Sequence, residues 1–277
     1  MVYEKEYNRA GQDKEPRDPF DLAIEFLLGL MLVFMPLALG AVQAWSKEVV
    51  LALVAAMSVV MTIKLVARPQ TRWVRSWAIL PPLLFLGVGL LQIIPLPARV
   101  VELLSPRTAA IVQELLADLP AQQAAQDRMT ISLYPHATRH DLRLVLGAAA
   151  VFAIVLNVVR TPAQIKRLLT VVAITGAAVA ALAIAQVVTR TDKIYWFVPI
   201  ISARAGSGTF VNHSNFAQFM NLSIGAALAL LLVQVSETFD RRWTTAAQVL
   251  DYITSPQAKR IWLWSGAAVL GAASIFV

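Results

Sequence analysis

The chain has 277 residues, 58% of them apolar and only 15% charged, with a mean hydropathy of +0.64. A soluble domain carries about a quarter charged residues, so the composition excludes an ordinary soluble fold. The lack of cysteine excludes disulfides, a thiolate nucleophile and thiolate metal ligation. The net charge of +7 is no nucleic-acid signature, because the basic residues form no single face or tail and stand at the ends of apolar runs.

A polar tail over residues 1–21 precedes the first apolar run, 22–43. That run is longer than the roughly 7–15 residues of a signal-peptide core. Val42-Gln43-Ala44 matches a cleavage site only loosely, so the run reads as a span. A helix needs about twenty apolar residues to cross the hydrocarbon core. Further spans are expected at 48–67, 77–96, 142–159, 168–188, 216–235 and 261–277, about seven in all. The expected fold is all-α, a polytopic bundle forming one transmembrane domain over 22–277. The last run stops at Val277 with no polar flank, the pattern of a truncated chain.

Basic residues orient the bundle. Fifteen fall on the side of the N-terminal tail: Lys5, Arg9, Lys14 and Arg17, then Lys64, Arg68, Arg72 and Arg75, then Arg160, Lys166 and Arg167, then Arg241, Arg242, Lys259 and Arg260. Lys64 is counted as snorkelling to that side. Eight fall on the other side, spread over longer loops. The N-terminus is therefore expected in the cytoplasm, with loops 97–141 and 189–215 facing out. Within the first loop, Ser105-Pro106 is a helix start. Ile111, Val112, Leu115, Leu116 and Leu119 follow at amphipathic spacing, which predicts an interfacial helix with Leu115 shielded. Thr138 and Asp141 form a capping-box-like start for the fourth span, which leaves His136 outside that helix and no metal site with His140.

The second outer loop holds the stretch richest in chemistry, Arg204-Ala205-Gly206-Ser207-Gly208-Thr209-Phe210-Val211-Asn212-His213-Ser214-Asn215. Its glycines permit close backbone approach. Asn212 or Ser214 caps the helix that follows, whose first amides and dipole favour an anion, phosphate above all, with Arg204 nearby. Ser214, Gln218, Asn221 and Gly225 then descend one helix face at i, i+4, i+7 and i+11. Polar groups at such depth are expected to face a cavity or another helix. The competing reading makes the glycines a plain turn and the stripe helix–helix glue.

This stretch resembles the motif of the O-antigen ligase/polymerase family, a Gly-Thr/Pro-Phe-x-Asn-x-Asn-x-x-Ala pattern that opens a span after an outer loop. Gly208, Thr209, Phe210, Asn212, Asn215 and Ala217 match it, and Arg204 stands where the family has a functionally important arginine. Upstream, Leu91 to Pro97, Leu104-Ser105-Pro106 and Ile131 to Pro135 with Thr138 also resemble the family's outer loop, so the likeness covers about 85–235. His213-Ser214 departs from the family pattern, and the family's later spans and large outer loop are not in this sequence. The resemblance implies a multi-pass enzyme of the bacterial inner (plasma) membrane, working within a longer chain in lipopolysaccharide-type polysaccharide biosynthesis. It would move a glycan from a polyprenyl-diphosphate-linked donor to a lipid or polypeptide acceptor, as ligase or as polymerase, with membrane lipid around it, no cofactor and no nucleic-acid partner. On that reading Arg204 is catalytic, and Gly206, Gly208, Thr209, Asn212, His213, Ser214, Asn215 and Gln218 bind substrate. A transporter of a small anion, or a fragment with a purely structural role, are the alternatives.

Elsewhere the sequence offers less. Tyr195-Trp196-Phe197 reads as an aromatic belt at the outer interface, with stacking on a sugar as the alternative. Asp21 and Glu25 are expected to snorkel, and Gln92, Asn157 and Gln186 to hydrogen-bond between helices.

Overall fold

The structure is a computed structural model that describes residues 18–71, 73–74, 76–116, 128–199, 206–239 and 245–276. Arg204, Leu119, the basic tail residues Lys5 to Arg17, and Arg72, Arg75, Arg241 and Arg242 lie outside the described residues.

Helix α1 (Pro19–Leu37) opens on Asp18, whose carboxylate accepts from the Phe20 amide at 3.1 Å, with proline at the first helical position. It ends in a left-handed turn in which Leu39, Gly40 and Ala41 all have positive φ. Helix α2 (Ala44–Ala67) returns along α1. After a 3-10 turn at Trp77–Ile79 come α3 (Leu80–Ile93), strand β1 (Leu96–Pro97), α4 (Ala98–Leu104), α5 (Pro106–Leu116), β2 (Arg128–Met129) and α6 (Pro135–Val158). Helix α7 (Pro162–Val188) is followed by β3 (Lys193–Ile194), β4 (Val198–Pro199), α8 (His213–Thr238), α9 (Ala246–Thr254) and α10 (Lys259–Ile275).

Five of these helices are long and apolar enough to cross a membrane: α1, α2, α6, α7 and α8. The third and seventh expected spans are shorter, a 17-residue helical stretch at Trp77–Ile93 and the 17-residue α10. Helix α3 stops early because Ile94 is extended (ψ 130°) ahead of Pro95, as the residue before a proline prefers.

The described chain divides into two units, Met1–Ala67 with Val158–Val277, and Arg68–Asn157. In the first, α7, α8 and α10 pack on one another, and α1 packs on both α2 and α7. One core cluster joins Val172, Ala173, Ala226, Ala227, Leu230, Trp264 and Ala268. A second, around the start of α8, joins Val179, Ala180, Ala183, Phe210, Phe216 and Met220. Small residues set the closest approach. A Cβ on Gly176 would lie 2.0 Å from Ser223 Oγ, and one on Gly271 would lie 2.9 Å from Ile224 Cγ1.

Charges at the end of the unit where α1 begins pair with one another. Lys64, only 5% exposed, bonds Asp21 and lies 3.9 Å from Asp18. Glu25 takes both Nε and Nη2 of Arg167, the latter at 2.7 Å, and Lys166 pairs with Glu237. Asp21 and Glu25 stand one turn apart on α1, so one helix supplies the counter-charge for two neighbours.

In the second unit, β1 and β2 pair Leu96 with Met129 and Pro97 with Arg128, over a small core of Val101, Ala109 and Met129. Helix α5 begins where Ser105-Pro106 predicts, but it buries Ala109, and Leu115 is 71% exposed. The short core takes only the first turns of the helix, and so Leu115 is not shielded by the protein. Helix α6 begins at Pro135, three residues before the expected cap. Proline suits that first position. Thr138 is therefore inside the helix, with its hydroxyl 2.8 Å from Ser132 Oγ, and His136 is helical too. Asn157 accepts from the Val74 amide at 2.7 Å and donates to Ala153 O at 2.8 Å.

The α7–α8 contact gives a direct test. Gly176→Ala should lower the melting temperature of the protein in detergent, by an amount corresponding to about 2 kcal/mol, since an inserted methyl meets a packed neighbour. Adding Ser223→Gly should restore most of the loss. Gly225→Ala should change stability by less than about 1 kcal/mol, because a Cβ there meets nothing within 4 Å.

Candidate functional site

A helix leaves its last carbonyls without amide partners. In α1 two of them are met from far along the chain. Thr209 Oγ1 donates to Pro36 O at 2.6 Å, and Tyr195 OH donates to Leu37 O at 2.6 Å. The acceptors belong to successive residues, whose Cα atoms are about 3.8 Å apart. The β3–β4 hairpin and the glycine turn are thus fastened side by side. Burial raises the Tyr195 phenol above its ordinary value, so it stays protonated and a donor well above neutral pH.

The turn is closed on itself. Ser207 Oγ donates to Phe210 O at 2.6 Å, and the Phe210 amide donates to Ser207 O at 2.9 Å. Gly208 has φ +58°, and a Cβ there would stand 3.0 Å from Val179 O, so both conformation and space demand glycine. The Phe210 ring lies over Gly40, where a Cβ would come within 2.6 Å of it. Helix α8 then begins with Asn212 as its cap, Oδ1 accepting from the Ser214 amide at 2.8 Å.

The expected site residues separate into two groups. Gly208 and Thr209 are buried in the turn and Gly206 is half-buried beneath His213, while Asn212, His213, Ser214, Asn215 and Gln218 are exposed around the first turns of α8. Arg204, the expected catalytic residue, lies outside the described residues. The stripe of Ser214, Gln218, Asn221 and Gly225 is exposed along its whole length, whereas Phe216, Met220, Ser223 and Ala227 form the buried row of the same helix. Helix α8 thus carries polar side chains outward from a segment long and apolar enough to span a membrane.

Beneath the turn lies a group the sequence reading gave to interhelical bonding. Gln186 is fully buried, and among the described residues neither its Oε1 nor its Nε2 has a hydrogen-bond partner. It follows Val179 and Ala183 at i+7 and i+3, the face of α7 that packs against Gly208. Open grooves lie elsewhere, one between α1 and α7 beside Glu25 and Arg167, the other around Trp73 and Leu83. Among the described residues no group of three His, Asp or Glu side chains could hold a metal ion.

No family model, curated protein or solved structure matches the chain significantly.

Two substitutions here should move stability in opposite directions. Thr209→Val strands the buried Pro36 carbonyl, and should cost about 1–3 kcal/mol and speed deuterium uptake at residues 206–211. Gln186→Met replaces an unpaired buried amide by an apolar chain of similar length, and should raise the melting temperature. A loss of stability in Gln186→Met would show that the amide is paired in the folded protein.

Proposed function

We propose that this chain is a membrane-embedded glycan-transferring protein of the O-antigen ligase/polymerase type. In this reading it works at the outer face of a bacterial inner membrane on a polyprenyl-diphosphate-linked donor. The observation that carries the reading is the capped start of α8, which presents His213, Ser214, Asn215 and Gln218 outward directly after a glycine turn. Of the family-like residues, Gly208, Thr209, Phe210 and Asn212 build this turn and helix start by the contacts described above, and Asn215 and Ala217 lie in the first turns of α8. Five helices of spanning length support the membrane setting, and the basic residues favour an inside N-terminus.

The chemistry follows from the charge that develops. An acceptor hydroxyl oxygen bonds to the anomeric carbon of the donor and releases its proton. The bond from that carbon to the phosphate oxygen breaks, and its electron pair leaves with the diphosphate. Arg204 and the free amides at the start of α8 stabilise that growing negative charge. A guanidinium offers two parallel donors to phosphate oxygens, whereas a lysine keeps the charge without the fork.

Arg204→Ala should therefore reduce glycan transfer by on the order of 100-fold at unchanged membrane insertion, with Arg204→Lys restoring only part of it. Near-normal transfer by Arg204→Ala at wild-type expression would overturn the assignment. Substrate counterflow in liposomes, without dependence on a lipid-linked donor, would instead identify an anion transporter.

The orientation has its own test, made clean by the absence of native cysteine. A cysteine at Ser132 should react with an impermeant thiol reagent in intact spheroplasts, and one at Ser236 should not. The reverse pattern would put the α8 start on the wrong side for such a donor.

A further inference from the structure

The β3–β4 hairpin carries three aromatic residues in its tip and holds them in an unfavourable backbone. Tyr195 has φ +54° and Trp196 φ +65°, and the Phe197 amide closes the turn on Ile194 O at 3.3 Å. Turns with positive φ at both central residues favour Asn-Gly, and bulky side chains there are strained. The tip is held from within by two side-chain hydrogen bonds. Tyr195 OH reaches Leu37 O at 2.6 Å, and Trp196 Nε1 donates to Thr189 Oγ1 at 3.0 Å. The Tyr195 and Phe197 rings stack, centroids 6.0 Å apart at 20°, and Ile194 is fully buried beneath.

This geometry departs from an aromatic belt. Belt tyrosines and tryptophans keep the apolar body in lipid and the polar handle in the wet headgroup layer. Here both handles are bonded to protein groups, the Leu37 carbonyl and the Thr189 hydroxyl, instead of standing free for headgroup water, and ring surface is left open, with Trp196 45% and Phe197 73% exposed. Exposed Arg190, Asp192 and Lys193 border that surface. Because Tyr195 and Thr209 bond successive carbonyls of α1, the ring surface stands beside the glycine turn that leads into α8.

We propose that Trp196 and Phe197 form a stacking subsite for a pyranose ring of the glycan whose diphosphate is bound at the start of α8. A pyranose has an apolar face of C–H groups, which packs on an aromatic ring, and a polar hydroxyl edge, which the neighbouring charged side chains can bond. The proposal rests on the function proposed above. A lipid surface is the competing occupant, but it would leave the two protein-bonded handles and the strained tip without a purpose.

The test compares two probes on the protein in nanodiscs, farnesyl diphosphate and the same diphosphate bearing an N-acetylhexosamine disaccharide. Wild type should bind the glycosylated probe about fivefold more tightly. Phe197→Leu should abolish that preference with farnesyl diphosphate affinity unchanged, and Phe197→Trp should keep it. Phe197 is not among the positive-φ residues and its polar contact is made by its backbone amide, so these side-chain variants leave the strained turn intact. A preference that survives in Phe197→Leu overturns the subsite alone. If wild type binds neither probe, the function itself is wrong and the subsite falls with it. Strong quenching of a bimane label on Phe197→Cys by spin-labelled lipid would assign the face to the bilayer, which also overturns the proposal.

Discussion

The end of α1 is the constraint on which the rest of this arrangement depends. Its Pro36 and Leu37 carbonyls lie past the last intrahelical donors, and an unmet buried carbonyl costs about 1–3 kcal/mol. The residues that follow cannot supply one, because Leu39, Gly40 and Ala41 turn left-handed and lead straight into α2. Donors must therefore come from elsewhere, and Thr209 and Tyr195 provide them. Once those bonds form, the glycine turn, the aromatic hairpin and the start of α8 have little freedom left. The same left-handed turn exposes the face of Gly40 on which Phe210 rests.

Much of this was legible in the sequence wherever the controlling physics is local. Apolar length gave the helices, Asn212 gave a cap, and a glycine at 208 signalled an unusual backbone. The errors fall where tertiary context outweighs a local rule. Thr138 looked like a cap, yet Pro135 starts the helix one turn earlier, and both residues suit a helix start on their own. The anchors on α1 span 158 and 173 residues, and nothing in the spacing of Tyr195 or Thr209 announces such partners. Lys64, Asp21 and Glu25 gave no sign of their partners, because the counter-charges lie on other helices and only the bundle brings them alongside.

Helix α8 shows how packing chooses between two usable faces. One row holds Phe216, Met220, Ser223 and Ala227, the other Ser214, Gln218, Asn221 and Gly225. Only the first offers bulk for a core together with a small side chain where Gly176 must come close. The amide-bearing row would need partners on α7, and the buried residues of that helix are mostly alanine, valine and glycine, with Thr175 and, nearer its end, Gln186 as the polar ones. The seam therefore goes to the apolar row, and the polar row is left available on a segment otherwise made for lipid.

Three of the ion pairs among the described residues have a mechanical consequence. Lys64–Asp21 ties α2 to α1, Glu25–Arg167 ties α1 to α7, and Lys166–Glu237 ties α7 to α8. Four helices are stitched in sequence at one end, most firmly at the α1–α2 link, where the lysine side chain is 7% exposed, and least at Lys166–Glu237, where both partners are open to solvent. At the other end, the α1 links to the hairpin and turn are neutral hydrogen bonds. Added salt should therefore loosen the solvent-open Lys166–Glu237 link first and leave the neutral hydrogen bonds at the other end unaffected.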